Sequence, residues 1–119
     1  MKPKILICDD EVGIRESLKL ILEDNYEAIL CDKPEECLTW IKNNPEVKLV
    51  LLDIKMPKMD GLITLRQIKS FHPDMKVIMV TGYRAVDTAT EAINAGADDY
   101  IVKPFDSKDI QERVAKTLE

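Results

Sequence analysis

The sequence has little of what membrane-spanning or nucleic-acid-binding chains require. It contains no apolar run of the roughly 18 residues that a transmembrane helix needs, and no secretory signal peptide. Its 17 lysine and arginine residues are outnumbered by 22 aspartate and glutamate residues, which gives a net charge of −5. Binding to a phosphate backbone needs clustered basic side chains, which this balance disfavours. The chain is therefore expected to be cytoplasmic, without direct contact to a membrane or to nucleic acid.

Cysteine and histidine are also too few, and too irregularly spaced, for a structural zinc site. The one histidine and three cysteines form no CxxC or Cys/His pattern. Cys8, Cys31 and Cys37 lie in or beside apolar runs, which favours buried, reduced thiols.

What the chain does contain is an alternation of short apolar runs with helical patterns over 119 residues, the length of one domain, 1–119. Each run is mostly apolar without alternation, which is typical of parallel strands buried on both faces. The predicted strands are 5–8, 28–31, 49–52, 77–80 and 100–102. The second strand is flanked by charged residues and is expected at an edge of the sheet.

Five helices are predicted between and after these strands. The second and third are expected to be capped by Asp32 and Asp60, and the fourth to stop at Gly96. The fifth is expected to start near Asp106. Five β-α units predict a doubly wound α/β fold of the flavodoxin-like (βα)5 type, with a parallel sheet of order 2-1-3-4-5 and helices on both faces.

Polar side chains follow four of the five predicted strands, at the edge where ligands bind in such sheets. They are carboxylates, one hydroxyl and one ammonium: Asp9, Asp10, Glu11, Asp53, Thr81 and Lys103. Carboxylates held together in a partly buried site repel one another, and a divalent cation such as Mg²⁺, which prefers hard oxygen ligands, relieves that repulsion. Asp53 could then act as a nucleophile towards phosphorus, while Lys103 and Thr81 bind the phosphoryl oxygens.

Each of these residues has an ordinary explanation when it is taken alone. Asp10 could cap the first helix, Thr81 could be a routine strand end, and Lys103 could be a solvated lysine. Asp53 is a poor cap, because the next helix starts about eight residues later. The combination of types at the ends of the correct strands is what favours a phosphoryl-transfer site.

These residues lie in segments that resemble the receiver domain of bacterial two-component response regulators. The matching segments are 5–11, 51–61, 80–82, 95–100 and 103–105, in the family's order and across essentially the whole chain. The resemblance implies that Asp53 is the phosphoacceptor. It also implies that Mg²⁺ (or Mn²⁺) is bound by Asp10, Asp53 and the main-chain carbonyl of Lys55. Asp9 would act mostly through a metal-bound water.

The resemblance further implies a conformational switch. Lys103 would contact the phosphoryl group, and Thr81 would move to hydrogen-bond it. Tyr100 would swing inward with Thr81, and the peptide bond before Pro104 would be cis. The change would be read on the face formed by the fourth helix, fifth strand and fifth helix, which could also form a homodimer.

Two further positions are expected to tune the lifetime of the phosphoryl group. Lys55 and Tyr83, two residues past Asp53 and Thr81, would lie over that group and control the access of water. The one local departure from the family is Cys8, where an aliphatic residue is usual, and it should affect only packing.

By this resemblance, the domain accepts its phosphoryl group from a sensor histidine kinase or a phosphotransfer protein. It would catalyse only its own phosphorylation and dephosphorylation, and would signal to an output domain or a downstream effector. The chain could be a single-domain relay protein or a receiver from a longer regulator, and both interpretations stay open.

Two rival classes fit the sequence less well. A haloacid-dehalogenase-type phosphatase expects a second aspartate two residues after its nucleophile, where this chain has Lys55. A flavodoxin-like electron carrier expects a phosphate-cradling loop after the first strand, where Asp9, Asp10 and Glu11 would repel a phosphate unless a cation intervened.

Overall fold

The computed structural model describes residues 2–53, 59–82 and 86–119, in which five strands alternate with five helices. The strands are β1 (Lys4–Cys8), β2 (Glu27–Cys31), β3 (Val47–Leu52), β4 (Lys76–Thr81) and β5 (Asp99–Val102). The helices are α1 (Val12–Leu22), α2 (Pro34–Asn43), α3 (Met59–Phe71), α4 (Val86–Asn94) and α5 (Ser107–Leu118). All strand pairs are parallel, in the order β2-β1-β3-β4-β5, which confirms the predicted fold.

Helices cover both faces of this sheet, as the uninterrupted apolar strands require. Ile5 and Ile7 of β1 belong to one apolar cluster, together with residues of α1 and α5. Leu6 and Cys8 point to the opposite face and pack with residues of α2, α3 and α4. β2 lies at the end of the strand order, beside β1, so the prediction of an edge strand is confirmed.

Two of the predicted helix caps are wrong. α2 begins at Pro34, whose fixed φ suits the first helical position, so the capping position falls on Lys33 rather than on Asp32. No side chain makes a capping hydrogen bond there. α3 begins at Met59, two residues earlier than predicted, so Asp60 lies within its first turn rather than before it.

The predicted ends of the last two helices agree with the structure. Gly96 follows the end of α4 with a φ of 109°, a conformation that glycine adopts at little cost. The side chain of Asp106 accepts a hydrogen bond from the backbone N–H of Lys108 and so caps α5. Within the described ranges, no helix has the length and apolar character needed to cross a membrane.

Candidate functional site

The register of the sheet brings the polar strand ends together. Cys8, the last residue of β1, is the register partner of the last residue of β3, so Asp9 and Asp53 leave the sheet side by side. The backbone N–H of Asp53 donates to the carbonyl of Cys8 at 3.0 Å, which continues the ladder one step further. On the other side, the N–H of Lys103 donates to the carbonyl of Thr81 at 2.8 Å. These backbone hydrogen bonds therefore fix the main-chain positions from which the polar side chains extend.

Four carboxylates meet at this edge. Asp9, Asp10, Glu11 and Asp53 each offer one carboxylate oxygen, and these oxygens lie within 4.8 Å of one another. They differ in their exposure to water: the side chain of Asp53 is 6% exposed and that of Glu11 is 61% exposed. Asp9 is buried and Asp10 is exposed. The cluster therefore has a buried floor and a solvated rim.

The ammonium group of Lys103 partly neutralises this cluster. Its Nζ lies 2.8 Å from Oδ2 of Asp9, 3.2 Å from Oε1 of Glu11 and 3.6 Å from Oδ2 of Asp53. The lysine side chain is only 12% exposed, so it extends into the site rather than into solvent. The structure thus excludes the alternative of a solvated surface lysine.

The loop between β1 and α1 is held by contacts that centre on Asp9. The backbone N–H of Glu11 donates to Oδ1 of Asp9 at 2.9 Å, and Nη1 of Arg15 donates to the Asp9 carbonyl at 2.8 Å. The N-cap position of α1 is Glu11, so Asp10 does not occupy the capping position that was its alternative role. The role of Arg15 was not predicted from the sequence. The only signal there is its position near the start of the helix that follows an acidic loop.

The protonation of Asp53 is shifted by its surroundings. Burial raises the pKa of Asp53 to about 6 from 3.8, and the neighbouring charge of Asp9 adds to this rise. Lys103 and a hydrogen bond with the Thr81 side chain oppose the rise. For Lys103, burial lowers the pKa, but the hydrogen bond to Asp9 and the charge of Asp53 outweigh it and raise the pKa overall. The ammonium therefore stays charged where the carboxylates need it.

The two predicted switch residues lie on neighbouring strands. Thr81, at the end of β4, is 1% exposed and its side chain hydrogen-bonds Asp53. Tyr100 of β5 is half-buried and packs against the apolar cluster under α2, α3 and α4. It also lines a surface groove together with Phe105. The peptide bond between Lys103 and Pro104 is cis.

Three buried thiols gather around Cys8, the residue that precedes Asp9. Cys8 is the register partner of Cys31, and the Cys37 thiol of α2 packs in the same apolar cluster. Burial, together with Cys8, raises the pKa of Cys31 to about 12, and Cys8 together with burial also raises the pKa of Cys37. The prediction of buried, reduced thiols is confirmed. Their convergence was not predicted.

The donor set suits a hard divalent cation. Mg²⁺ binds oxygen at about 2.0–2.1 Å in an octahedron, so adjacent ligand oxygens lie about 3 Å apart and opposite ones about 4 Å apart. The four carboxylate oxygens lie within 4.8 Å of one another, close to that spacing, and Asp9, Asp10 and Asp53 border a cavity of about 100 Å³. The structure thus brings Asp9, Asp10 and Asp53 together, and their binding of a metal stays a prediction. Lys55 and Tyr83 lie outside the described residues.

Comparison with known proteins assigns the family. The family model "Response regulator receiver domain" matches residues 5–115 of this chain. The chain belongs to the response regulator receiver domain family. The acidic edge is thus part of a receiver domain of the two-component type.

Curated relatives of this receiver domain are longer proteins. The transcriptional regulatory protein ZraR of Klebsiella oxytoca is 36% identical over 115 residues, which span 96% of this chain but 26% of that protein. The response regulator MprA of a Mycobacterium species is 37% identical over 120 residues, 99% of this chain and 51% of that protein. The chain therefore spans between about a quarter and a half of these relatives.

Solved structures share its fold. A response regulator receiver domain protein (CheY-like) from Methanospirillum hungatei has a TM-score of 0.91 and 39% identity, covering 99% of this chain and 94% of that one. NtrX from Brucella abortus, in complex with ADP, has a TM-score of 0.89 and 36% identity, and this chain covers 26% of it. The receiver fold therefore occurs both nearly alone and within longer regulators.

Proposed function

We propose that Asp53 accepts a phosphoryl group, with Mg²⁺ or Mn²⁺ bound beside it, from a sensor histidine kinase or a phosphotransfer protein. The observation that carries this proposal is the convergence of four carboxylates and one ammonium group on the carboxyl edge of the sheet. The proposal makes this domain a signalling module that catalyses only its own phosphorylation and dephosphorylation.

Asp53 is the carboxylate best suited to be the nucleophile. Asp9 is tied up by Lys103 and by the backbone N–H of Glu11. Asp53 lies at the end of a central strand, where its carboxylate is held by the Thr81 side chain and by the charge of Lys103. In the reaction, an Asp53 oxygen forms a bond to phosphorus while the bond from phosphorus to the donor's leaving group breaks.

The remaining groups neutralise and orient the transferred phosphoryl group. A bound divalent cation supplies positive charge for the phosphoryl oxygens and removes the repulsion among the carboxylates. Asp10, Asp53 and the main-chain carbonyl of Lys55 would hold it directly, and Asp9 would act mostly through a metal-bound water. Lys103 donates a charge-assisted hydrogen bond to a phosphoryl oxygen. Thr81 exchanges its hydrogen bond with the carboxylate for one with the phosphoryl group.

The switch follows from the contact between Thr81 and Asp53. Phosphorylation adds about two negative charges at Asp53 and draws Thr81 and Lys103 towards them. Tyr100 then moves into the space that Thr81 leaves. The phosphoryl group shifts the equilibrium only because it binds better to the arrangement in which these residues have moved.

The surface that changes would be the one formed by α4, β5 and α5. A groove of about 610 Å³ lies there, between β5 and α5, and Tyr100 and Phe105 line it. Arg113 joins the two elements, since it contacts Asp99 of β5 at 2.8 Å and Asp109 of α5 at 2.9 Å. An output domain, a downstream effector or a second copy of the domain would bind this face. Lys55 and Tyr83 would set how long the signal lasts.

The test is phosphorylation by a small acyl phosphate. The protein is incubated with acetyl phosphate and Mg²⁺, and intact mass spectrometry is expected to show the gain of one phosphoryl group. Asp53→Asn and removal of the cation with a chelator should both abolish the gain. Asp74→Asn, in an exposed turn between α3 and β4, is the matched control and should retain it. A gain that survives in Asp53→Asn would exclude Asp53 as the acceptor.

A further inference from the structure

The ammonium group of Lys103 contacts carboxylate oxygens that a divalent cation would also need. It lies 2.8 Å from Asp9 and 3.6 Å from Asp53, two carboxylates expected to bind the cation, Asp53 directly and Asp9 mostly through a water. Its third carboxylate contact is Glu11, at 3.2 Å. Lys103 and a divalent cation therefore compete for the same carboxylates, because positive charges that share a small site repel each other.

We propose that Glu11 is a positioning residue that holds the ammonium group of Lys103 when a divalent cation binds to Asp9 and Asp53. Glu11 thereby sets the affinity of the site for that cation. This inference rests on the proposed function, since it takes the acidic edge to be a site for Mg²⁺.

Burial and anchoring explain why Glu11 suits this role. Asp9 and Asp53 are almost fully buried, so their oxygens cannot follow a displaced lysine. The Glu11 side chain is 61% exposed, so it is free to turn with Lys103 towards the rim of the site. The backbone N–H of Glu11 is tied to Oδ1 of Asp9, which keeps the start of the side chain beside the metal-binding carboxylates. The ammonium group thus needs only a short movement to leave them.

The simpler interpretation is that Glu11 acts on the cation alone, either as a ligand or as one more negative charge. Its oxygen does lie in the four-carboxylate cluster, so this interpretation has support. The two interpretations differ in one respect: only the positioning role depends on Lys103. A double-mutant cycle between Glu11 and Lys103 separates them, because it isolates the part of an effect that one residue exerts through the other.

The experiment is isothermal titration of the purified protein with MgCl₂ for the wild type, Glu11→Gln, Lys103→Met and the double variant. Asp32→Asn is the charge-matched control, because Asp32 is exposed and lines the same cavity but lies outside the four-carboxylate cluster. Lys103→Met is expected to tighten Mg²⁺ binding. With Lys103 present, Glu11→Gln is expected to weaken it by about three-fold to ten-fold more than Asp32→Asn does. In the Lys103→Met background, Glu11→Gln should weaken binding no more than Asp32→Asn.

Two outcomes would overturn the inference. Equal weakening by Glu11→Gln in both backgrounds would show that Glu11 acts on the cation directly, and no weakening at all would show that it does not act. If Lys103→Met fails to fold, Lys103→Gln replaces it, since its amide can still donate to Asp9. Acyl-phosphate labelling of the wild type separates a failure of this inference from a failure of the proposed function. If Asp53 is phosphorylated in the presence of Mg²⁺ but the double-mutant cycle shows no coupling, only this inference fails. A wild type that binds no Mg²⁺ would overturn the proposed function as well.

Discussion

At the scale of single residues, Asp53 destabilises the fold when it is ionised, which is the state that the proposed phosphoryl transfer needs. Its folded-state pKa of about 6 lies above the ordinary value of 3.8, because burial and the charge of Asp9 disfavour the ionised carboxylate. A carboxyl group with a raised pKa destabilises the folded protein once it ionises above that pKa. The cost is lost as the pH falls from about 6 towards 3.8, where the folded state binds the proton more tightly than the unfolded state does.

Asp53→Asn is therefore expected to stabilise the metal-free protein. At about pH 7.5 in a chelator, the free energy of unfolding should rise by roughly 1–3 kcal/mol, and the gain should shrink towards about pH 4. Urea unfolding at both pH values measures the difference. Asp74→Asn should change stability by less than about 0.5 kcal/mol, as is usual for an exposed site. A loss of stability in Asp53→Asn at neutral pH would contradict the assigned cause of the pKa shift.

The three buried thiols are expected to be unreactive in the folded protein. Cys8, Cys31 and Cys37 are each at most 5% exposed, and burial is the main reason why the pKa of Cys31 is raised to about 12. Because the thiolate is the reacting form, a disulfide reagent such as DTNB should label none of them in native buffer. All three should react in concentrated guanidinium chloride, which serves as the control. Rapid labelling of one thiol in the native protein would show that the cluster opens without global unfolding.

At the scale of elements, the connection between α4 and β5 depends on one glycine. Gly96 has a φ of 109°, and a Cβ there would lie 3.2 Å from two carbons of the Lys69 side chain. Gly96→Ala is expected to lower the free energy of unfolding by about 1–2 kcal/mol, because the left-handed conformation is unfavourable for a residue with a side chain. Gly13→Ala is the matched control, since a Cβ at this position in α1 would have no atom within 4 Å.

The control variant should be neutral or slightly stabilising, because alanine loses less entropy than glycine when it enters a helix. Thermal unfolding of both variants in the same buffer measures the contrast. Equal melting temperatures for Gly96→Ala and Gly13→Ala would show that the turn after α4 relaxes freely around residue 96.

The elements also show where prediction from the sequence succeeds. The strands were located because a short, fully apolar run has few alternatives to a strand in the centre of a parallel sheet. The caps of α2 and α3 were misplaced because a capping residue is defined by one turn of backbone. A shift of one or two residues, as at Lys33 and Met59, changes which side chain occupies that position.

At the scale of the whole molecule, topology carried most of the site prediction. Parallel strands end at one edge, so the residues at the carboxyl ends of β1, β3, β4 and β5 had to lie near one another. The contacts of Arg15 with the Asp9 carbonyl and of Glu11 with Lys103 were not predicted, because they depend on how long side chains fold back over a loop. The convergence of the thiols depends in the same way on where α2 packs against the sheet.

The same topology makes the acidic edge a point where a ligand can stabilise the entire domain. A cation that binds only the folded protein raises its stability by mass action, about 2.7 kcal/mol at a concentration one hundred times its dissociation constant. We expect Mg²⁺ to raise the melting temperature of the wild type, because it binds between strands that belong to the central sheet. Asp10→Asn should reduce this rise strongly, since it removes one of the expected ligands.

Asp24→Asn supplies the contrast for that measurement. Asp24 is exposed in the turn between α1 and β2, before the first residue of β2, and so lies at the opposite end of the strands from the acidic edge. Asp24→Asn removes one negative charge from the net total of −5, as Asp10→Asn does, so both variants share any general effect of charge on Mg²⁺ binding. A rise in melting temperature that is equally reduced in Asp10→Asn and Asp24→Asn would mean that Mg²⁺ acts through non-specific screening. A rise lost only in Asp10→Asn would place the cation at the carboxyl edge, where the fold gathers its carboxylates.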